Sequence, residues 1–289
     1  MGTPDGRKGW AEFFVEQGYV VYMIDQPMRG RSAWHPSDGA TRMFTAQAIE
    51  SQFTATQSKG NWPQAKWHTQ WPGEGPGKGQ RGDPVFDAFY ATQVESLASN
   101  ADTQRWNQQA LSALLDRIGP AVVLTHSQAG PFGWLVADAR PKLVKAILAI
   151  EPSGPPFENA VNGTGKARAW GLTDVPMTYA PAITRADQLQ VEQAAAEAAD
   201  LAPCWLQKPP ARQLSNLTHI PVMLMVAQAS YHAVYDHCTA RYLTQAGVQT
   251  DLVRLEQKGI FGNGHMVMIE KNNLEIARWI DRWVLDHVR

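Results

Sequence analysis

Short continuous apolar runs alternate with amphipathic segments along this chain of 289 residues. Continuous apolar runs predict strands that are buried on both faces of a sheet. These runs are residues 19–24, 121–124, 144–150 and 221–227, with a more alternating fifth run at 250–255. Apolar residues at helical spacing predict helices over residues 9–17, 103–118, 130–139, 189–199, 238–245 and 273–288. The alternation predicts an α/β fold, in which a mostly parallel sheet has helices on both faces.

Two regions interrupt this alternation. Residues 33–100 and 152–216 show little periodicity, are rich in glycine, proline or both, and contain several tryptophans: Trp34, Trp62, Trp67, Trp71, Trp170 and Trp205. Long ordered loops of this kind commonly cover a binding site. We therefore expect a single α/β domain over residues 1–289, with an insertion loop at 33–100 and a cap or lid insertion at 152–216. The tryptophans either line an apolar acyl pocket or pack small satellite cores.

A serine stands where one predicted strand breaks into a helix. Residues 121–130 read A-V-V-L-T-H-S-Q-A-G, which is typical of a sharp strand-to-helix turn that presents the hydroxyl of Ser127. The match to the G-x-S-x-G pattern is imperfect, because Thr125 and Ala129 flank the serine and Gly130 comes one place later. The alternative is an ordinary loop serine. If Ser127 is a nucleophile, the backbone N–H of Gln128 is the expected oxyanion-hole donor.

The partners of such a serine follow in chain order. His265 ends the glycine-rich segment G-I-F-G-N-G-H (259–265) after the last predicted strand, the position expected for the general base. Two residues compete as the acid. Glu151 directly follows the strand at 144–150, and a carboxylate buried there requires a partner. Asp236 follows the strand at 221–227, but it is also placed to cap the next helix. We favour Glu151 and keep Asp236 as the alternative acid.

Composition narrows the functional class. The chain is 44% hydrophobic and 18% charged, with a net charge of −1, which fits a globular enzyme and gives no support for nucleic-acid or membrane partners. No apolar stretch is long enough for a membrane span, and the N-terminus is not a signal peptide. Tyr231, His232 and His237 resemble zinc ligands only superficially. No second cluster of candidate ligands has metal-ligand spacing, so we expect no metal. Nucleotide-binding glycine motifs do not occur. Cys204 and Cys238 form either one disulfide or two buried thiols.

Several motifs together resemble one family. They are T-P-D-G-R-K-G-W (3–10), Y-M-I-D-Q-P-M-R-G-R-S (22–32), L-T-H-S-Q-A-G (124–130), E-P-S-G-P-P-F (151–157) and G-N-G-H-M (262–266). Spread over nearly the whole chain, they resemble the esterase-713-like branch of bacterial α/β-hydrolases. The resemblance implies the α/β-hydrolase fold, cleavage of small-molecule carboxylic esters without a cofactor, and a triad of Ser127, Glu151 and His265.

The chain departs from that family at its N-terminus. Three strands normally precede the one predicted at 19–24, and here only 18 residues do. We therefore expect an N-terminally truncated hydrolase that lacks its first three strands, including the loop that normally supplies the second oxyanion donor. The alternative function is then a non-catalytic or impaired hydrolase-like binding protein. Secretion or a periplasmic location stays open under this reading, as does a homo-oligomer.

Overall fold

Helices and strands of the protein, in a computed structural model that describes residues 2–288, are numbered separately in chain order. The α-helices are α1 (Trp10–Glu16), α2 (Ala46–Ile49), α3 (Thr56–Lys59), α4 (Pro84–Tyr90), α5 (Asn100–Ile118), α6 (Gly130–Ala139), α7 (Asp236–Gln245) and α8 (Asn273–His287). The strands are β1 (Thr41–Arg42), β2 (Ser96–Leu97), β3 (Ala121–His126), β4 (Val144–Ile150), β5 (Val191–Ala194), β6 (Cys204–Gln207), β7 (Val222–Val226) and β8 (Thr250–Arg254). Single 3-10 turns cover Pro36–Asp38, Pro63–Trp67, Ser127–Ala129, Ala186–Gln188, Tyr231–Val234 and Leu255–Lys258, and a π-helical turn covers Glu50–Thr54.

Four parallel strands form the central sheet, in the order β3-β4-β7-β8. Four of the five predicted strands are confirmed, since they correspond to these four. The register places Ala149 of β4 between Thr125 of β3 and Leu224 of β7. Because the strands are parallel, the residues that follow β3, β4 and β7 emerge at one edge of the sheet, where ligands bind in open α/β sheets.

Helices cover both faces of this sheet, as predicted. Helices α5, α6 and α7 pack on one face, where the strands contribute alternate residues such as Ile147 and Leu224. Helices α1 and α8 pack on the other face, against Leu148, Met223 and neighbouring residues. A strand covered on both faces has no solvent-facing side, which explains why these segments are apolar without interruption. Among the helices described, none is long and apolar enough to cross a membrane.

The predicted strand at 19–24 is wrong. This segment has no strand structure, and its side chains are largely in solvent, with Val20 80% and Tyr22 55% exposed. A strand forms only where a neighbour pairs with its backbone, and none of the strands in residues 2–288 lies beside this segment. Tyr19 ties the segment to α8, because its hydroxyl donates to Asp281 at 2.7 Å. Residues 19–24 are apolar but have no strand to pair with in the described part of the chain, so they form an exposed loop.

The predicted helix at 189–199 is also wrong. The segment contains β5, which pairs antiparallel with β6. Its alanine-rich sequence favours a helix, but local propensity is worth only tenths of a kcal/mol per residue and tertiary contacts override it. Those contacts come from the pairing with β6, which α7 in turn holds in place. Gln207 in β6 exchanges two backbone–side-chain hydrogen bonds of 2.8 Å with Gln245.

Residues 33–100 contain several short elements, namely the helices α2, α3 and α4, the strands β1 and β2, two 3-10 turns and the π-helical turn. Their apolar side chains form a separate cluster with residues from the far end of the chain, notably Tyr231 and Tyr235. Trp62 and Trp71 are buried in this cluster, while Trp34 and Trp67 are exposed. For Trp62 and Trp71, the satellite-core alternative is therefore the one the structure adopts.

A disulfide joins Cys204 of β6 to Cys238 of α7, 34 residues apart. This settles the alternative left open by the sequence. The bridge and the Gln207–Gln245 hydrogen bonds hold the β5–β6 hairpin against α7.

We expect the double variant C204A/C238A to unfold at lower denaturant concentration. Opening a 34-residue loop in the unfolded chain should lower the free energy of unfolding by about 2–4 kcal/mol. Guanidinium denaturation, followed by circular dichroism, measures this. Reductant should shift the wild type towards the variant and leave the variant unchanged; equal midpoints for the oxidised wild type and the variant would contradict the prediction.

Candidate active site

Ser127 lies in a strained turn at the end of β3. Its φ is 54°, a left-handed conformation that costs a non-glycine residue of the order of 1–3 kcal/mol. The turn is held by the segment after β4, because the Ser153 amide donates to the Ser127 carbonyl at 2.9 Å. It also requires Gly130, since a Cβ there would lie 2.4 Å from the Cβ of Pro152. Gly130, rather than the flanking Thr125 and Ala129, therefore meets the need for a small residue.

Three residues far apart in sequence form a continuous hydrogen-bonded row. The hydroxyl of Ser127 lies 2.8 Å from Nε2 of His265, and Nδ1 of the same ring lies 2.5 Å from Oε2 of Glu151. The Glu151 and His265 side chains are fully buried, and Ser127 is partly exposed. The structure thus brings together the predicted nucleophile, base and favoured acid at one edge of the sheet.

Glu151 is fixed between two strands. It directly follows β4, its φ is 44°, and its own amide donates to the carbonyl of Met225 in β7 at 2.9 Å. Besides the His265 ring, its carboxylate accepts hydrogen bonds from the amide of Ala227 at 2.8 Å and the hydroxyl of Ser230 at 2.7 Å. Every oxygen of this buried carboxylate therefore has a donor.

Asp236, the alternative acid, lies at the start of α7 and contacts a different histidine. Both of its carboxylate oxygens are 3.1 Å from Nδ1 of His232. The His232 ring in turn stacks on the His265 ring, with centroids 4.9 Å apart and planes 2° from parallel. Asp236 therefore reaches His265 only through the His232 ring, whereas Glu151 contacts His265 directly.

Burial controls protonation at this site. It lowers the pKa of His265 well below the ordinary histidine value of 6.5, and the neighbouring His126 and His232 act in the same direction. Burial also lowers the pKa values of His126 and His232 to about 4. For Glu151, burial raises the pKa, whereas His232 and the hydrogen bonds from Ser230 and Ala227 oppose this effect and favour the ionised carboxylate. The imidazole of His265 is consequently uncharged at neutral pH, the form that accepts a proton.

The loop that carries His265 is anchored by a second buried pair, which the sequence analysis did not identify. Glu270 accepts hydrogen bonds from the Gly264 amide at 2.9 Å and from the Asn263 side chain at 2.7 Å. Its Oε1 also lies 2.7 Å from Nε2 of His68, whose Nδ1 lies 2.8 Å from the hydroxyl of Thr56. Residues of the 33–100 region therefore hold the His265 loop in place.

Aromatic side chains surround His265, and these too were not predicted. Phe53 packs on its ring with centroids 5.0 Å apart, and Phe44 packs edge-on against Phe53 at 5.8 Å. The hydroxyl of Tyr231 lies 3.5 Å from Nε2 of His265. No spacing rule connects these residues, because each contact joins loops that are far apart along the chain.

Gln128 is the second residue of the 3-10 turn Ser127–Ala129. The first amides of a helical turn have no acceptor within the turn, so they are free to bind an oxygen atom. The Gln128 side chain accepts a hydrogen bond of 3.0 Å from the guanidinium of Arg29. Arg29 also lines a cleft of about 200 Å³, together with Met28, Gly30, Ser32, Trp34, Thr41, Val94 and Glu95. An open cleft is therefore lined by Arg29, whose guanidinium contacts the Gln128 side chain in the turn at Ser127.

Within residues 2–288, two groups of donor atoms are close enough to hold a metal ion. They are Glu151, His232 and His265, and Cys204, His237 and Cys238, each within 4.8 Å. The two sulfurs are joined in the disulfide, and the ring nitrogens and carboxylate of the first group hydrogen-bond to protein partners. The donor atoms of the Glu151, His232 and His265 group are thus engaged in hydrogen bonds within the protein.

Comparison with known proteins gives three findings. A sequence profile described as "Alpha/beta hydrolase family" matches residues 2–279. The chain is 50% identical over 285 residues to the "Probable secreted lipase phiG" of Fungal sp. (strain ATCC 74256), covering 98% of this chain and 77% of that protein. Its fold is similar to a solved structure described as "a Novel Bacterial Esterase", with a TM-score of 0.59, 22% identity and coverage of 99% of this chain and 76% of that one.

We expect NMR titration of 15N-histidine-labelled protein to give His265 a pKa well below 6.5, because burial disfavours its charged form. The ring should stay neutral at pH 7 and acquire a proton only as the pH falls through that lowered value. The variant H265Q assigns the resonance. A pKa of 6.5 or higher for His265 would contradict the prediction.

Proposed function

We propose that this chain, which belongs to the alpha/beta hydrolase family, is a serine hydrolase that cleaves carboxylic esters through an acyl-enzyme intermediate. The α/β-hydrolase fold predicted from the sequence is confirmed. The observation that carries the proposal is the hydrogen-bonded row from Ser127 through His265 to Glu151. The 50% identical relative, named as a lipase, supports ester hydrolysis in particular.

In the proposed first step, Ser127 attacks the carbonyl carbon of the ester while Nε2 of His265 accepts the hydroxyl proton. The separation of 2.8 Å between these atoms is suited to that transfer. Glu151, bonded to Nδ1, keeps the ring in the tautomer whose Nε2 is unprotonated and stabilises the imidazolium that forms. The ring then returns the proton to the departing alcohol, which leaves the acyl group on Ser127.

The carbonyl oxygen becomes negatively charged in this step and requires a donor. We assign the backbone N–H of Gln128, because it immediately follows the nucleophile at the start of a turn. A single donor of this kind contributes about 10²–10³ to the rate. The Arg29 guanidinium, bonded to the Gln128 side chain, supports the turn from outside. In the second step His265 activates water, which releases the acid and restores Ser127.

We propose that residues 33–100 and 152–216 cover the site and that the substrate is a small-molecule ester with an apolar part. Phe53 lies against the His265 ring, and Phe44 extends this apolar wall to the surface, where it is half exposed. Asn162, from the second region, lies close enough to the Tyr231 hydroxyl to lower its pKa. The closer assignment to the esterase-713-like branch stays a prediction.

We further infer that the protein works in an oxidising compartment. Disulfides persist outside the cytosol and are rare within it, and Cys204 and Cys238 form one here. The 50% identical lipase is named as secreted, which agrees with this inference.

A fluorophosphonate probe tests the nucleophile. We expect covalent labelling of the folded wild type and none of S127A, because only an activated serine reacts with the probe. The control S153A removes another hydroxyl at the same sheet edge and should be labelled like the wild type. Absence of labelling in the folded wild type would favour a hydrolase-like binding protein instead.

The acid is tested by comparing E151Q with D236N. E151Q should lower kcat by about 10³–10⁴, because the amide no longer holds the imidazole in its productive tautomer. D236N should lower kcat by less than about tenfold, since Asp236 reaches His265 only through the His232 ring. Hydrolysis of p-nitrophenyl butyrate measures both. A larger loss for D236N than for E151Q would assign the acid to Asp236.

A further inference from the structure

The hydroxyl of Tyr231 lies among the atoms that the proposed reaction uses. It is 3.5 Å from Nε2 of His265, and the side chains of Ser127 and Asn162 both act to lower its pKa. The tyrosine is 8% exposed. The mechanism above does not use the Tyr231 hydroxyl, although this hydroxyl lies beside Nε2 of His265, the atom that accepts and returns the proton.

Packing holds this hydroxyl in place. The Tyr231 ring packs edge-on against Trp62, with centroids 5.9 Å apart, and contacts His232 and Phe53. Its backbone follows Ser230, whose hydroxyl donates to Glu151. The Trp62 indole also donates to the carbonyl of Ala229 at 3.0 Å. The phenol is thus oriented both by residues of the 33–100 region and by the loop that satisfies Glu151.

We propose that Tyr231 is a catalytic residue whose hydroxyl donates a hydrogen bond to the leaving-group oxygen of the ester. This inference rests on the proposed function. The geometric reason is that Nε2 of His265 must face the leaving-group oxygen in order to protonate it. A hydroxyl within 3.5 Å of Nε2 is within reach of the same oxygen.

Tyr231 keeps its proton in this step, because the departing alcohol receives its proton from His265. As the tetrahedral intermediate collapses, the bond between the acyl carbon and the leaving-group oxygen breaks, and its electron pair goes to that oxygen. The proton on Nε2 of His265 moves to the oxygen and gives the free alcohol, while Tyr231 keeps its proton and stabilises the developing negative charge. Burial raises the pKa of Tyr231 above its ordinary value, which keeps the phenol a neutral donor.

Such a donor has an effect that depends on the alcohol. An aliphatic alkoxide concentrates its negative charge on one oxygen and leaves only with a proton or strong hydrogen bonds. A p-nitrophenolate spreads the charge over its ring and departs unaided. A residue that merely supports the shape of the site would affect both esters alike.

The test compares ethyl butyrate with p-nitrophenyl butyrate, which carry the same acyl group. For Y231F we expect kcat/KM to fall by about tenfold to a hundredfold with the ethyl ester, as for loss of one hydrogen bond to a charged group. With the p-nitrophenyl ester the fall should be under about threefold. Phenylalanine keeps the ring, and a thermal melt checks that the variant is folded.

Y235F is the matched control. It removes a buried hydroxyl in the same aromatic cluster, one that contacts Nε2 of His232 at 3.2 Å, and the ratio of the two rates should stay at the wild-type value. If Y231F slows both esters equally, speeds either one or changes neither, the assignment of Tyr231 is overturned while the proposed function stands. If the wild type hydrolyses neither ester and Ser127 is not labelled, the proposed function itself fails, and this inference fails with it.

Discussion

The buried carboxylate of Glu151 is the constraint on which the rest of the site depends. An isolated carboxylate in a protein interior costs several kcal/mol, and only good hydrogen-bond donors offset this. Its donors come from Ala227 and Ser230 after β7 and from His265 after β8. These segments are far apart in the chain, so the carboxylate is satisfied only when β4, β7 and β8 are in register. The proposed row therefore forms only when the sheet is folded in this register.

Strain is concentrated at the same sheet edge. Ser127 and Glu151 follow adjacent parallel strands, and both have left-handed backbone conformations. Such conformations persist only where surrounding contacts over-determine them. Here the loop after Glu151 packs on Gly130 and donates to the Ser127 carbonyl, while the Glu151 amide donates to β7. The turn at Ser127 is thus supported by the segment after Glu151, and Glu151 itself is supported by the neighbouring strand.

How much the sequence could predict follows from which interactions are local. The strands β3, β4, β7 and β8 are apolar runs that any parallel sheet would bury, and chain order alone puts Ser127, Glu151 and His265 at strand ends on one edge. Residues 19–24 and 189–199 were mispredicted, because their structure depends on whether a pairing neighbour is present, which no local pattern encodes. Tyr231 and the pair His68–Glu270 were missed for a similar reason, since their contacts join loops across 34 and 202 residues.

That last pair changes how the 33–100 region is understood. A region that only covered a substrate would contact the rim of the site, whereas His68 and Glu270 are completely buried and hold the amide of Gly264, next to His265. Phe53 and Trp62 of the same region set the positions of the His265 and Tyr231 rings. The 33–100 region and the loop that carries His265 are therefore one packed unit. Substitutions in this region must preserve Thr56, His68 and Glu270, because the position of His265 depends on them.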